Sequence, residues 1–220
     1  SPTPEPFYER FNRGLIMGTD GQKMSKSKGN VVNPDEFVQK YGSDAVRMYL
    51  AFIGPYNEPG SYPWNLDGVE AMRRFLDRIY NLRERVCYDE GFSSTPDIQN
   101  AIRRAVEKVT LDTERFKMNT AISALMILVK ELESWSSIAP NDYRNLLILL
   151  APYAPHLSDY LWGISGGEGS VHQSAWLNAA DFQNIENADV IAVQVNGKRR
   201  GEITLHKGAT ETDALLAARA

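Results

Sequence analysis

Cysteine is nearly absent from these 220 residues, and the single Cys87 excludes an internal disulfide and any cysteine-rich zinc site. No apolar run reaches the roughly 18 residues a membrane-spanning helix needs. The opening SPTPEPFYERF has neither the basic start nor the apolar stretch of a secretory signal, and no lipidation motif stands at either end. A reducing cytoplasm is the expected setting. An excess of positive charge is missing too: 24 Lys and Arg face 28 Asp and Glu, a net charge of −4. That excludes an indiscriminate nucleic-acid coat, because phosphate affinity rests on Lys and Arg, so any nucleic-acid surface must be local. Internal repeats are absent. With 43% hydrophobic and 24% charged residues, the chain has enough to bury a core and to form more than one unit.

The character of the sequence changes near residue 68 and again near residue 185, which divides it into segments 1–67, 68–184 and 185–220. The first is a loop-rich connector, with turn clusters at Asp20-Gly21, Gly29-Asn30 and Asn33-Pro34. Its one helical stretch, residues 34–53, starts on Asn33-Pro34-Asp35-Glu36 and breaks at Tyr41-Gly42-Ser43-Asp44. The second segment is helical throughout. Val69, Met72, Phe75, Leu76, Ile79, Leu82 and Val86 recur at three- and four-residue steps, and similar stripes predict helices over 97–113, 119–135, the stretch after Pro140, and 156–162. Modest loops between them imply an antiparallel bundle. In the third segment the period becomes two: residues 190–195, the turn Asn196-Gly197 and residues 202–205 predict a hairpin, and a capped helix is expected from Thr210. The fold class is therefore mainly α, an antiparallel helix bundle preceded by a loop-rich connector and followed by a small, partial α+β domain.

The chemistry concentrates in Lys23-Met24-Ser25-Lys26-Ser27-Lys28-Gly29-Asn30. Lysines neutralise charge on a phosphate, serine hydroxyls and backbone amides donate to it, and glycines let such a loop move. For an arbitrary lysine-serine loop a solvated surface turn would be the better reading, but Met24 has no reason to be there on charge alone.

The word KMSKS at residues 23–27 resembles the ATP-site signature of class I aminoacyl-tRNA synthetases. Its neighbours resemble the leucyl members most: Gly29 to Asp35, Tyr41 to Tyr49, Phe52 to Pro55, Pro63-Trp64, Arg73 to Arg78, Met118 to Met126, Leu149 to Leu157 and Val193 to Lys198. The resemblance covers nearly the whole chain in order. It implies an anticodon-binding type of bundle and ATP-dependent ligation of leucine to tRNA(Leu) through leucyl-adenylate. Lys26 would stabilise the leaving pyrophosphate as the first catalytic candidate, with Lys23 beside it. Lys23, Met24, Ser25, Lys26 and Ser27 would hold ATP, magnesium would accompany the nucleotide, and no metal site is expected in the protein. No HIGH word occurs, so the chain alone is expected to be inactive. Neither an editing domain nor a replacement among His156, His172 and His206 is legible; His156 reads as a hydrogen-bonded packing residue and the others as solvated.

For tRNA, Arg74, Arg78 and Arg85 fall on one helix face at spacings of four and seven, opposite the apolar stripe. A solvated face pairing with neighbouring acids is the competing reading. Lys198, Arg199 and Arg200 follow the predicted hairpin turn, where they either meet phosphate or protect a strand edge. Trp135, Trp162 and Tyr153 read as core. Two functional classes stay open: part of a leucine-activating ligase, or a free-standing tRNA-binding module derived from one.

Overall fold

The computed structural model describes Phe7, residues 14–55, 60–182, 188–195 and 198–206, Thr210, and residues 214–215; for 188–206 it describes the backbone alone. Helices dominate. Two short helices, α1 (Pro34–Tyr41) and α2 (Ser43–Phe52), precede the five longer or later ones: α3 (Leu66–Leu82), α4 (Pro96–Glu114), α5 (Met118–Glu133), α6 (Pro140–Leu150) and α7 (Pro155–Ile164).

Three of these seven starts are written locally, in the side chain of the N-cap residue. The Asn33 side chain accepts the Asp35 N–H at 3.1 Å before Pro34 opens α1, Asn65 accepts the Asp67 N–H at 2.9 Å at α3, and Thr95 accepts the Ile98 N–H at 3.3 Å at α4. The Asn65 cap explains why α3 begins two residues ahead of residue 68: Leu66 and Asp67 are turned outward and carry no periodic signal. At its other end α3 stops at Leu82, and Arg83–Arg85 tighten into a 3-10 turn, so Arg85 lies beyond the helix that its spacing had suggested. Between α1 and α2, Gly42 adopts φ 88°, a conformation that excludes a side chain and makes the break.

Val69, Met72, Phe75, Leu76, Ile79 and Leu82 of α3 are buried in one core, where α3 packs on α2, α5 and α7 and the Tyr143 hydroxyl of α6 donates to Ile79 O at 2.9 Å. The same core continues into α2. Ala45 and Met48 are fully buried, and Val46 and Tyr49 nearly so, because α2 packs on α3, α5 and α7. The connector has no core of its own, yet its second helix belongs to the bundle's core, so residue 68 is a change in pattern rather than in packing. Trp64 joins them edge-on to Phe37 and Tyr49, with ring centroids 5.0 and 4.9 Å away.

A feature too short to show a period is the parallel pair β1 (Leu15–Met17) and β2 (Ser61–Pro63), which ties the KMSKS approach to the start of α3. Further on, β3 (Ala188–Val195) and β4 (Lys198–His206) pair antiparallel as expected from the alternation. Their register shifts between Val193 and Gln194, which face Gly201 and Arg199, so Arg200 is the extra residue of a bulge. The expected turn at residues 196–197 lies outside the described residues, as does most of the helix expected after Thr210; Ala214 N–H does donate to Thr210 O at 3.1 Å. Among the described residues no helix is long and apolar enough to cross a membrane.

Candidate functional site

The KMSKS loop hangs from β1. Met17 bridges Lys23, Gly18 N–H donates to Gln22 O at 2.8 Å, and Gly21, at φ 70°, closes the turn between them. After Ser25 the chain makes one 3-10 turn, Lys26–Lys28, and leaves it through Gly29 at φ 65°. The two glycines sit where the backbone enters the left-handed region, so each supplies a conformation that other residues adopt at a cost.

Asn30 closes the base of the loop. Its Oδ1 accepts the Ser25 N–H at 2.8 Å, while its Nδ2 donates to both carboxylate oxygens of Asp20, at 3.2 and 3.1 Å, and to Lys23 O at 3.3 Å. Asp20 also accepts the Gln22 N–H at 3.0 Å, and this bond, with those from Asn30 and the charge of Lys28, holds its carboxyl below the usual value. Met24 is half-buried and packs against the hydrophobic core, which accounts for an apolar residue in a cationic word. Ser25 and Ser27 share a hydrogen bond of 2.8 Å.

The three lysines differ in what they do. Lys28 donates to Gln22 Oε1 at 2.8 Å and is tethered. Lys23 and Lys26 are exposed, and among the described residues neither has an ion pair or a side-chain hydrogen bond. Two uncommitted ammonium groups on a fixed turn suit a polyanion. The described residues hold no group of three His, Cys, Asp or Glu that could bind a metal ion.

The arginines of α3 are more committed. Arg78 donates two bonds to Glu133 of α5, at 2.9 and 2.6 Å, and Arg85 caps the end of α5 by donating to the carbonyls of Glu133 and Trp135. That pairing pushes the Arg78 pKa up and pulls the Glu133 carboxyl down, in both cases chiefly through the hydrogen bond between them. Arg74 holds only Glu70, four residues away at 2.8 Å, and 62% of its side chain is exposed. Thus all three members of the expected ridge are exposed, but Arg78 and Arg85 are bound to α5 while Arg74 pairs within its own helix. Lys198 and Arg199 occupy the end of β4 opposite Val195 and Gln194, with Arg200 in the bulge.

Asp44 carried no signal as a site residue, since it read as part of the break at Tyr41-Gly42-Ser43-Asp44. It is buried, and its carboxylate accepts the Leu157 N–H at 2.7 Å and meets His156 Nδ1 at 2.8 Å, with Ser43 Oγ 3.3 Å from the same nitrogen. It therefore caps α7 from α2, where Ala154 has no side chain able to do so. His156 is hydrogen-bonded as expected but 74% exposed, hence not a packing residue. His172 Nε2 approaches Pro155 O at 3.3 Å. Tyr153 is buried, while Trp135 and Trp162 are half-buried against the core. A cavity of about 710 Å³ opens between α2, α3 and α7, beside Asp44, Arg73, Tyr80, His156 and Tyr160, away from the lysines.

Residues 97–215 match the family model described as the anticodon-binding domain of tRNA ligase, and residues 3–59 match tRNA synthetases class I (I, L, M and V). The leucine–tRNA ligase of Alkaliphilus oremlandii is 37% identical over 204 residues, covering 93% of this chain and 25% of the relative. That of Chlorobium phaeobacteroides is 40% identical over 225 residues, covering 99% and 27%. A crystal structure of a ternary complex, Agrobacterium radiobacter K84 agnB2 LeuRS-tRNA-LeuAMS, superposes with a TM-score of 0.76 at 35% identity, over 100% of this chain and 30% of that one. The chain thus spans about a quarter of the length of the curated relatives it matches.

Proposed function

The chain belongs to the anticodon-binding domain family of tRNA ligases, matched over residues 97–215, and from this we propose that it acts as the loop-and-bundle portion of a cytoplasmic leucine–tRNA ligase. In that reading the substrates are leucine, ATP and tRNA(Leu), and leucine is joined to the tRNA through leucyl-adenylate. The observation that carries it is the pair Lys23 and Lys26, exposed and uncommitted on a loop whose base is clasped by Asn30. Lys26 is the catalytic candidate: its ammonium meets charge that grows on the leaving pyrophosphate, which lowers the barrier more than it tightens ground-state binding. Lys23 and the hydroxyls of Ser25 and Ser27 add donors to ATP, and Met24 anchors the loop from beneath. Magnesium would arrive on the nucleotide's phosphates, where it supplies positive charge.

For tRNA the ridge narrows to Arg74, the exposed member not held to α5. Arg74 can turn to a phosphate by giving up one solvent-exposed intrahelical pair, which stabilises the helix by only about 0.3–0.5 kcal/mol. Arg78 and Arg85 would have to leave α5 to do the same, so they are read as supports of the bundle. Lys198, Arg199 and Arg200 are proposed as a second phosphate contact, at a bulged strand end.

The test is pyrophosphate exchange by the full-length ligase that carries this segment. Lys26→Ala should cut the exchange rate roughly a hundredfold to a thousandfold, the usual effect of removing one charge-stabilising donor. A rate within a factor of about two of the unmodified enzyme would remove Lys26 from the chemistry and favour the alternative, a tRNA-binding module with an idle loop.

A further inference from the structure

The base of the KMSKS loop holds more order than its charged tip needs for solubility. Its two ends, Lys23 to Ser25 and Asn30, are brought together by one side chain that uses acceptor and donor at once. Asn30 Oδ1 takes the Ser25 N–H at 2.8 Å, and Nδ2 gives to Asp20 at 3.1 and 3.2 Å and to Lys23 O at 3.3 Å. The amide's orientation is forced, since a flip would set its oxygen against a carboxylate and its NH2 against an N–H. Room for this arrangement is built in. A Cβ on Gly18 would stand 2.7 Å from Asp20 Oδ1 and 3.1 Å from Asn30 Nδ2. Asp20 reaches Asn30 because Gly21 closes the turn and the Gln22 N–H fixes its carboxylate.

We propose that Asn30, with Asp20 as its partner, is a positioning residue: a clasp that fixes the entry of the 3-10 turn so that Lys26 is presented from one defined place. The clasp rests on the proposed role of Lys26, and acts through it. Ser25 is the residue before the turn, so a bond to its N–H sets where the next residue's ammonium starts. Positioning of this kind raises the rate when a reacting charge must be met at a particular distance. Lys28, the last residue of the turn, is tethered to Gln22 at 2.8 Å, which restrains its exit.

The clasp is tested first on this chain, without nucleotide, by the rate of tryptic cleavage after Lys23, Lys26 and Lys28 together with hydrogen exchange at the Ser25 amide. Asn30→Ala should speed both roughly tenfold, the factor expected from losing one or two loop-holding hydrogen bonds, with the melting temperature of the bundle unchanged. Asn30→Asp should do at least as much, by facing one carboxylate with another. Adding Asp20→Asn to Asn30→Asp restores a donor opposite an acceptor between positions 20 and 30, though not the bond to Lys23 O, and should recover part of the protection. In the full-length ligase the same series should lower kcat for pyrophosphate exchange and recover part of it in the double variant, with KM for leucine held within about twofold. Protection that is indifferent to Asn30, or that the double variant does not recover even in part, overturns the clasp. Protection that moves while kcat stays level, in an enzyme that Lys26→Ala does disable, overturns the positioning role. If Lys26→Ala leaves exchange intact, the functional reading fails instead, and the cleavage and exchange rates alone decide the clasp.

Discussion

Residues of one type in one short word do different work here, and the difference lies in their partners. Lys28 is already spent on Gln22, whereas Lys26 is not. Lys28→Ala in the full-length ligase should therefore slow pyrophosphate exchange by less than a tenth of what Lys26→Ala does; equal losses would mean that the tether is broken in the working enzyme. A second residue makes a pH prediction. Asp142 is fully buried at the start of α6, where its carboxylate accepts the Ala139 N–H at 3.1 Å, and burial pushes its pKa above the ordinary value. The folded state thus holds this proton more tightly than the unfolded chain does. Its contribution to stability is full below about pH 4 and is lost as pH rises through the raised pKa. Asn in its place keeps the acceptor and does not titrate. Asp142→Asn should gain stability relative to the unmodified chain between pH 3 and pH 7, and melting curves showing a constant difference across that range would contradict the sign.

At the scale of elements, two side chains carry contacts that no helix makes for itself. Asp44 of α2 completes the N-terminus of α7, so Asp44→Ala should cost about 2–3 kcal/mol in urea unfolding, as expected for buried hydrogen bonds to a charged acceptor. Asp44→Asn, which still accepts from Leu157, should lose clearly less; a loss equal to that of alanine would mean the charge matters more than the cap. Glu133 of α5 takes the two donors of Arg78 from α3, and this hydrogen-bonded pairing lowers its pKa. Here the stability is present above the usual carboxylate range and lost as pH falls through the depressed pKa. Both partners are partly exposed, so solvent screens the pair and Glu133→Gln should cost roughly 0.5–1 kcal/mol at pH 7. That cost should shrink as pH falls from 7 through the carboxylate range, and thermal melts across that range are the check.

For the whole molecule, tRNA affinity should follow exposed charge rather than arginine count. Arg74→Glu should weaken filter binding of tRNA(Leu), reducing the slope of log affinity against log salt by about one, with the fold intact by circular dichroism. An unchanged slope would remove Arg74 from the interface. The 220-residue chain alone should show no leucine-dependent pyrophosphate exchange, because the loop supplies charge while leucine and ATP must also be held in line, and the sequence carries no HIGH word to do so. Saturable exchange that disappears in Lys26→Ala would contradict this. The helices themselves were legible in the sequence: each stripe of apolar residues has the 3.6-residue period of one buried face, and Asn33 marks the start of α1 through a bond to an amide two residues away, whereas the caps Asn65 and Thr95 emerged only with the structure. The cationic word and its glycine turns were legible for the same reason, being local. What the tertiary structure alone decided is which of these charges are free. Whether Arg78 faces solvent or Glu133, whether Asp44 caps its own helix or α7, and whether α2 belongs to the connector or the core depend on residues 55, 113 and more positions away. No periodicity reports such separations, because they are set by how faces pack once the chain has closed on itself.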